Sequence, residues 1–322
     1  MTRILPSPRF LLISCLSLTS WFSSFAATSV TIQLDWIYNA QFAGLYQAIE
    51  QGYFEEHDLE VTLLEAPKSV GVVESVVESG DIRFGVSESS VLLGKRHEGH
   101  PIVALAPMFQ TSPMGWMHLP KTGIESIADF KGKRIGIHAD GLKILGIALA
   151  KNGLSLDDVE FVEVGYDPEV LISGEIELMQ AYYIDEFVEL QRRTDNAGGI
   201  ELAGKNGYLA YSQVLFTTEA VLEKHPKLVV AVTEACRKGW AYALDHKEDT
   251  IDLILNSWKE DINRDYQIAS LEKVESLVRP DGEAIMPWTD LSTWDEMQKL
   301  LLEFELLPSP VDLVEFLYTQ DH

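Results

Sequence analysis

Three side chains that could hold a small ring lie close together near the start of the chain: Trp36, Tyr38 and Asn39. The pattern predicts a loop here, between a short strand that ends at Asp35 and a helix that begins near Gln41. In open α/β sheets, ligands bind beside the carboxyl ends of the strands, where such loops lie. An indole can stack on a planar ligand, and a carboxamide can bond its edge. The alternative is that Trp36 only fills the hydrophobic core.

Polar and aromatic residues also follow other predicted strands. Ser87 follows the strand 82–86, and Tyr182 and Tyr183 end the strand 178–182. A serine at such a position is either a ligand contact or a simple helix N-cap. Ligands of α/β sheets bind beside the carboxyl ends of the strands, so these residues are candidates for a binding site.

Two acids, Asp185 and Glu186, come directly after the tyrosine pair. A carboxylate in a cleft can hold an amino group through a charge-assisted hydrogen bond. Acids are also favoured in the first turn of a surface helix, so both interpretations stay open. His138 and Asp140 follow the predicted strand 134–137, where a satisfied loop residue and a helix cap are the alternatives to cleft contacts.

The spacing of strands and helices indicates the fold class. Strands alternate with helices of about ten residues between 30 and 109, and a second run of this kind begins near 127. We therefore expect an α/β protein with two lobes, each a mostly parallel sheet flanked by helices. The expected boundaries are 27–112 and 213–322 for the first lobe, which includes the C-terminal helices, and 113–212 for the second.

Two stretches are expected to carry the chain between the lobes as hinge crossovers. The first is 109–119, which is irregular and contains a proline and a glycine, and the second is 207–217. Gln110 and Ser112 in the first crossover, and Tyr211 in the second, would then border the cleft.

The opening stretch resembles a known family. The strand ending in Leu-Asp-Trp, the asparagine, the Ala-Gly pair and the helix closing on Gly-Tyr-Phe are present as Leu34, Asp35, Trp36, Asn39, Ala43, Gly44, Gly52, Tyr53 and Phe54. This pattern is similar to that of the NMT1/THI5-like (SsuA/THI5-like) periplasmic substrate-binding proteins. That family includes binders of thiamin-pyrimidine precursors, binders of alkanesulfonates and the fungal pyrimidine-phosphate synthase.

The resemblance implies a type II periplasmic binding protein that hands a small molecule to the permease of an ABC importer. It also implies a ligand contact at Ser87, and at the aromatic and acidic residues Tyr182, Tyr183 and Glu186. With Trp36 stacking and Asn39 bonding the ring edge, the expected ligand is an aminopyrimidine precursor of thiamin. The alternatives are an alkanesulfonate binder and a sensory binding protein that reports to a membrane partner.

Charge limits the possible partners. The chain has 50 acidic and 25 basic side chains, a net charge of −25. This balance argues against binding to nucleic acid or to anionic membrane surfaces, and it favours a neutral or cationic ligand. A sulfonate site would need cleft arginines, yet Arg83, Arg134, Arg192 and Arg193 all lie away from the predicted strand-end loops.

The N-terminal residues 1–26 are interpreted as an export signal. They combine Arg3 and Arg9 with the apolar run 10–18 and a small-residue cleavage site ending at Ala26. A lipoprotein anchor at Cys15 is the second interpretation. The expected product is a periplasmic monomer without membrane insertion, and no later run reaches the roughly 20 apolar residues of a membrane span.

No pattern in the sequence demands catalysis. There is no glycine-rich phosphate loop, no nucleophile motif and no metal-ligand spacing, since His97 and His100 lack a third ligand nearby. The synthase branch of the family uses a cluster of cysteines and a lysine that carries pyridoxal phosphate. After signal removal this chain keeps only Cys236. We therefore expect no cofactor, no metal and no enzymatic activity.

Overall fold

Two five-stranded sheets form the two lobes of the computed structural model, which describes residues 27–138, 141–195, 197–258, 263–282 and 285–319. The expected export signal, with Cys15 and Ala26, and the expected helix cap Asp140 lie outside the described residues. The strands are β1 (Thr28–Gln33), β2 (Leu59–Leu64), β3 (Arg83–Ser87), β4 (Ile102–Phe109), β5 (Met114–His118), β6 (Arg134–Ile137), β7 (Glu160–Glu163), β8 (Leu178–Tyr182), β9 (Gly199–Leu202) and β10 (Ser212–Thr218).

Both sheets repeat one strand order. The first lobe has the order β2-β1-β3-β10-β4 and the second has β7-β6-β8-β5-β9. In each lobe four of the five strands run in the same direction, and the strand that enters directly from the other lobe, β10 or β5, is antiparallel to both of its neighbours. The two-lobed α/β class is confirmed, and each sheet is mostly parallel, mixed only by the one strand that it accepts from a crossover.

The first crossover is shorter than expected. Strand β4 continues to Phe109 and β5 begins at Met114, so only 110–113 connects the lobes. Gly115 suggested irregular structure, but it lies inside β5 against β9, where an added Cβ would come within 2.6 Å of the Glu201 carbonyl oxygen. The glycine therefore permits close strand approach here instead of ending a strand.

Twelve α-helices cover the sheets in the described part of the chain. They are α1 (Ala43–Glu50), α2 (Val72–Glu78), α3 (Ser89–His97), α4 (Leu142–Lys151), α5 (Glu169–Ile172), α6 (Glu186–Arg193), α7 (Glu219–Lys224), α8 (Pro226–Asp245), α9 (Lys247–Leu253), α10 (Arg264–Val278), α11 (Leu291–Glu303) and α12 (Leu313–Phe316). Among the described helices, none combines the length and apolar character that crossing a bilayer requires.

Helix α1 is held in place by close packing against α8. An added Cβ at Gly44 would lie 2.2 Å from the Trp240 ring, and one at Gly239 would lie 2.1 Å from the Gly44 carbonyl oxygen. Trp240 is fully buried in the core of the first lobe. The Ala-Gly pair of the opening motif therefore serves helix packing, and this packing fixes the loop that precedes α1.

The substitution Gly239→Ala tests this contact. Its methyl group would overlap a backbone oxygen that cannot move without shifting α1, so we expect a loss of about 2–3 kcal/mol in the free energy of unfolding. Gly94→Ala is the matched control, because Gly94 lies in α3 with open space around its added methyl group. That variant should gain about 0.5–1 kcal/mol. Urea unfolding measures both, and equal effects would contradict the packing account.

Candidate ligand-binding cleft

A cavity of about 210 Å³ lies between the two lobes, at the carboxyl ends of β1, β6 and β8. The first lobe contributes Asp35, Trp36 and Gln41 to its lining. The second lobe contributes His138, Tyr166, Gln180, Tyr182, Asp185 and Glu186. Parallel register brings these positions together: Ile137 at the end of β6 pairs with Glu163 of β7, and Gly136 pairs with Met179 of β8.

Aromatic rings from both lobes face this cavity. Trp36 is only partly buried, and its ring centroid lies 5.8 Å from that of Tyr166, edge to face, at an interplanar angle of 67°. Tyr166 also lies 4.5 Å from the His138 ring. The indole thus forms part of the cleft wall instead of filling the core, and it can stack on a flat molecule held between the lobes.

Asp35 forms the acidic floor on the first-lobe side. Both of its carboxylate oxygens accept hydrogen bonds from Gln213 Nε2, at 2.8 and 3.0 Å, and one accepts a longer bond of 3.3 Å from Gln41 Nε2. Burial raises the pKa of Asp35 to about 7 against these hydrogen bonds. No described lysine or arginine forms an ion pair with this carboxylate, so a cationic group on a ligand would find an unneutralised partner.

Gln213 holds Asp35 from an unusual backbone position. Its φ is +52° within β10, directly after the second crossover, and its side chain is 1% exposed. A positive φ in a residue other than glycine is costly and persists where the surroundings demand it. From this position its side-chain amide donates to both carboxylate oxygens of Asp35.

Glu186 and Asp185 provide the acidic wall on the second-lobe side. Glu186 Oε2 accepts a hydrogen bond of 2.7 Å from the Tyr182 backbone N–H. Burial, followed by the nearby charge of Asp185, raises the pKa of Glu186 to about 7. Burial also raises the pKa of Asp185, whose carboxylate accepts a hydrogen bond from the Tyr266 hydroxyl. Three carboxyl groups therefore border one small cavity.

Gln180, in the middle of β8, forms a hydrogen bond with the loop that precedes α4. Its Oε1 accepts a hydrogen bond of 3.0 Å from the His138 backbone N–H. Gly141 makes this possible, because a Cβ there would lie 1.7 Å from the same oxygen. The Gln180 amide is thereby fixed with its carbonyl turned toward the backbone, and it lines the cavity as a polar group of set orientation.

Three of the nine residues predicted from the sequence meet in this cavity: Trp36, Tyr182 and Glu186. Asn39 instead caps the short helical turn that precedes α1, its Oδ1 accepting from the Gln41 N–H. Ser87 is buried in β3, opposite Val214 of β10.

The remaining predicted residues lie around the hinge and outside the cavity lining. In the first crossover, Gln110 donates to the Pro107 carbonyl and the fully buried Ser112 donates to Glu88. Tyr183 stacks on Phe187, with ring centroids 5.8 Å apart. Tyr211 lies beside Trp294 and donates a hydrogen bond to Asp290.

Several of the residues that line the cavity were not predicted as ligand contacts. Asp35 and Gln41 flank the predicted loop, so adjacency was a usable signal for them. For Asp185, as for Glu186, the sequence is compatible with a cleft contact or a helix start, and both acids line the cavity. Tyr166 follows the short strand β7 in a loop without any motif, and only the β6–β7 pairing brings it to the cleft.

One acidic cluster elsewhere has metal-like geometry within the described chain. It consists of Glu74, Glu98 and His100. The Lys95 ammonium already lies 2.8 Å from both carboxylates and supplies the positive charge. This cluster is a salt-bridge network, and His97 is not part of it.

Residues of both lobes match one known protein family. A family profile described as NMT1/THI5 like matches residues 39–250, which is most of the chain. The chain belongs to the NMT1/THI5-like family. The matched range begins in the Trp36 loop and includes both crossovers and the whole second lobe.

Two binding proteins are among the relatives of this family member. The formylaminopyrimidine-binding protein of Halalkalibacterium halodurans is 23% identical over 289 residues, covering 84% of this chain and 87% of the relative. The riboflavin-binding protein RibY of Chloroflexus aurantiacus is 23% identical over 296 residues, covering 88% and 83%.

The family also contains enzymes. The 4-amino-5-hydroxymethyl-2-methylpyrimidine phosphate synthase of Legionella pneumophila is 23% identical over 235 residues, covering 70% of this chain and 72% of the relative. Among the solved structures, the periplasmic aliphatic sulphonate binding protein SsuA of Escherichia coli shares the fold, with a TM-score of 0.70 at 14% identity over 92% of this chain and 93% of that one.

The substitution Glu186→Gln tests the electrostatics of the cleft. A carboxyl group whose pKa rises from 4.5 to about 7 on folding lowers stability as the pH rises through that window. Glutamine keeps an acceptor for the Tyr182 N–H and removes the charge. We expect Glu186→Gln to raise the free energy of unfolding by about 1–3 kcal/mol near pH 8 and to have no such effect below about pH 4.5.

Glu189→Gln, one turn later on α6, is the matched control for this measurement. Hydrogen bonds from Arg192, and then Arg193, hold the pKa of Glu189 below its usual range. Removing that charge should therefore lower stability at neutral pH, by up to about 1 kcal/mol. Thermal or urea unfolding across pH distinguishes the two signs, and a stabilisation by both variants would count against the assignment.

Proposed function

We propose that this protein is a solute-binding component of an ABC importer, and that it binds a small planar nitrogen heterocycle bearing an amino group. The observation that carries the proposal is the composition of the interlobe cavity. Aromatic rings from both lobes line it together with three carboxyl groups, and neither lysine nor arginine is among its lining residues. We propose an aminopyrimidine precursor of thiamin as the ligand.

The two acidic walls match the donors of an aminopyrimidine. Asp35 lies on one side and Glu186 and Asp185 on the other, so the amino group and a protonated ring nitrogen at the opposite edge could each meet a carboxylate. Trp36 would stack on the face of the ring. Stacking and several buried hydrogen bonds are consistent with micromolar affinity, about −8 kcal/mol.

The same composition disfavours a sulfonate ligand. Such an anion requires positive groups, yet each arginine near the lobes already has an acidic partner on the surface: Arg83 with Asp81, Arg134 with Glu177, Arg192 with Glu189 and Arg193 with Asp167. In this proposal the protein shares the fold of the sulphonate binding protein but binds a different class of ligand.

Binding, and not catalysis, is the activity we propose. The only cysteine among the described residues, Cys236, is buried in α8, and burial raises its pKa to about 12. A thiol of this kind is neither a nucleophile nor an accessible metal ligand at neutral pH. Export to the periplasm and docking to a permease complete the proposal, with the relatives named as binding proteins as support.

Calorimetric titration with the aminomethylpyrimidine tests the ligand class and the role of Trp36. We expect micromolar binding by the unsubstituted protein, and binding about 10- to 100-fold weaker by Trp36→Ala, because the stacking surface is lost. Trp36→Phe should retain much of the affinity. Phe161→Ala, which removes an exposed ring on β7, is the control and should bind normally. Absence of heat, or heat with an alkanesulfonate instead, would reject the aminopyrimidine.

The affinity should also depend on pH. Asp35 and Glu186 must be ionised to hold a protonated or strongly donating amino group, and both have a pKa of about 7 without ligand. Protons therefore compete with the ligand, and the affinity should rise between about pH 6 and pH 8, up to about tenfold for each group that ionises. Titration in buffers of different ionisation enthalpy would show the released protons. An affinity that is independent of pH would contradict the role of the carboxyl groups.

A further inference from the structure

Helix α10 contacts both walls of the cleft. Its buried side, which includes Leu271, Val274 and Val278, packs into the core of the first lobe. Beside this stripe, Gln267 Oε1 accepts a hydrogen bond of 2.8 Å from the Ala40 backbone N–H. Ala40 directly follows the loop that carries Trp36, so α10 anchors the first-lobe wall of the cavity.

A second face of the same helix reaches the opposite lobe. Tyr266, Ser270 and Lys273 are spaced by four and three residues, so they lie on one side of α10. We call these three residues the clasp. All of them contact the segment 183–187, which carries Asp185 and Glu186 into the cavity.

Each clasp residue makes a different kind of contact. The Tyr266 hydroxyl donates to Asp185 Oδ1, and the buried Ser270 hydroxyl donates to the Ile184 carbonyl at 2.7 Å. The Lys273 ammonium lies 5.0 Å from the centre of the Tyr183 ring. The two hydrogen bonds join α10, which packs in the first lobe, to the start of α6 in the second lobe, beside the first crossover, where the Tyr183 N–H donates to the Pro113 carbonyl at 2.8 Å.

Asp185 depends on the clasp for its orientation. It stands at the N-terminus of α6, but its side chain forms no capping bond with that helix. Within the described chain, the Tyr266 hydroxyl donates a hydrogen bond to Oδ1 of this carboxylate. Oδ2 then remains available on a carboxylate whose rotation is restricted, which favours a directed bond to a ligand amino group.

We propose that Tyr266 is a positioning residue for Asp185, and that the clasp couples closure of the lobes to the acidic wall of the cavity. The proposal rests on the proposed function, because it assigns Asp185 to the amino group of the heterocycle. In this arrangement helix α10 takes part in ligand selection without touching the ligand.

Affinity for the aminomethylpyrimidine tests the positioning role. Tyr266→Phe should bind about 3- to 10-fold more weakly than the unsubstituted protein, while Tyr242→Phe, the matched control on α8, should bind normally. In an Asp185→Asn background the Tyr266→Phe effect should shrink to less than twofold, because the two groups act together. Full additivity of the two substitutions, or unchanged affinity in Tyr266→Phe, would overturn the positioning role.

The closure role is tested without any ligand. Spin labels on cysteines at Lys68 and Glu163, exposed positions on opposite lobes, would report the distance across the cleft, and the buried Cys236 should stay unlabelled. Ser270→Ala and Tyr266→Phe should broaden this distance toward longer values, and Tyr242→Phe should not. Identical distributions in all variants would overturn the clasp. If the protein bound no aminopyrimidine but the distances changed, the ligand assignment would fail and the closure role would stand.

Discussion

Desolvation of acidic groups on facing walls is the constraint on which the cleft depends. Asp35 and Glu186 are removed from bulk water without a cationic partner among the described residues, and their pKa values rise to about 7 as a result. Such groups lower stability at neutral pH. In the proposed function a ligand supplies the missing positive or hydrogen-bond-donating group, so binding offsets this cost.

The strand order that both sheets share places these acidic groups at the cleft. Both sheets share one strand order, so each lobe presents the carboxyl ends of its first and third strands to the same gap. Asp35 follows β1, whose counterpart β6 is followed by His138, and the β8–α6 junction with Asp185 and Glu186 corresponds to the end of β3 in the first lobe. Polar groups at strand ends therefore meet across the gap without long loops, and short connections keep their positions well defined.

Local pattern was enough to predict the two lobes and part of the cleft, but not its full lining. Trp36, Tyr182 and Glu186 stand at strand ends that periodicity reveals. Asn39 and Ser112 were equally suitable as ligand contacts by sequence. In the structure each side chain instead forms a hydrogen bond with a nearby protein group, which is the alternative role of a polar residue in a loop. The position of Tyr166 in the cleft depends on the pairing of β6 with β7. A short stretch of sequence does not show which strands pair.

The role of α10 shows why the two-lobe description is incomplete. A pair of crossovers alone would let the lobes hinge freely, because few bonds resist rotation about two short connections. Helix α10 adds further contacts between the lobes: Gln267 on the first-lobe wall, and Tyr266 and Ser270 on the second-lobe wall. In the proposed arrangement these contacts favour closure in addition to what the crossovers allow. A ligand that completes the acidic wall then has to supply only part of the free energy that closes the cleft.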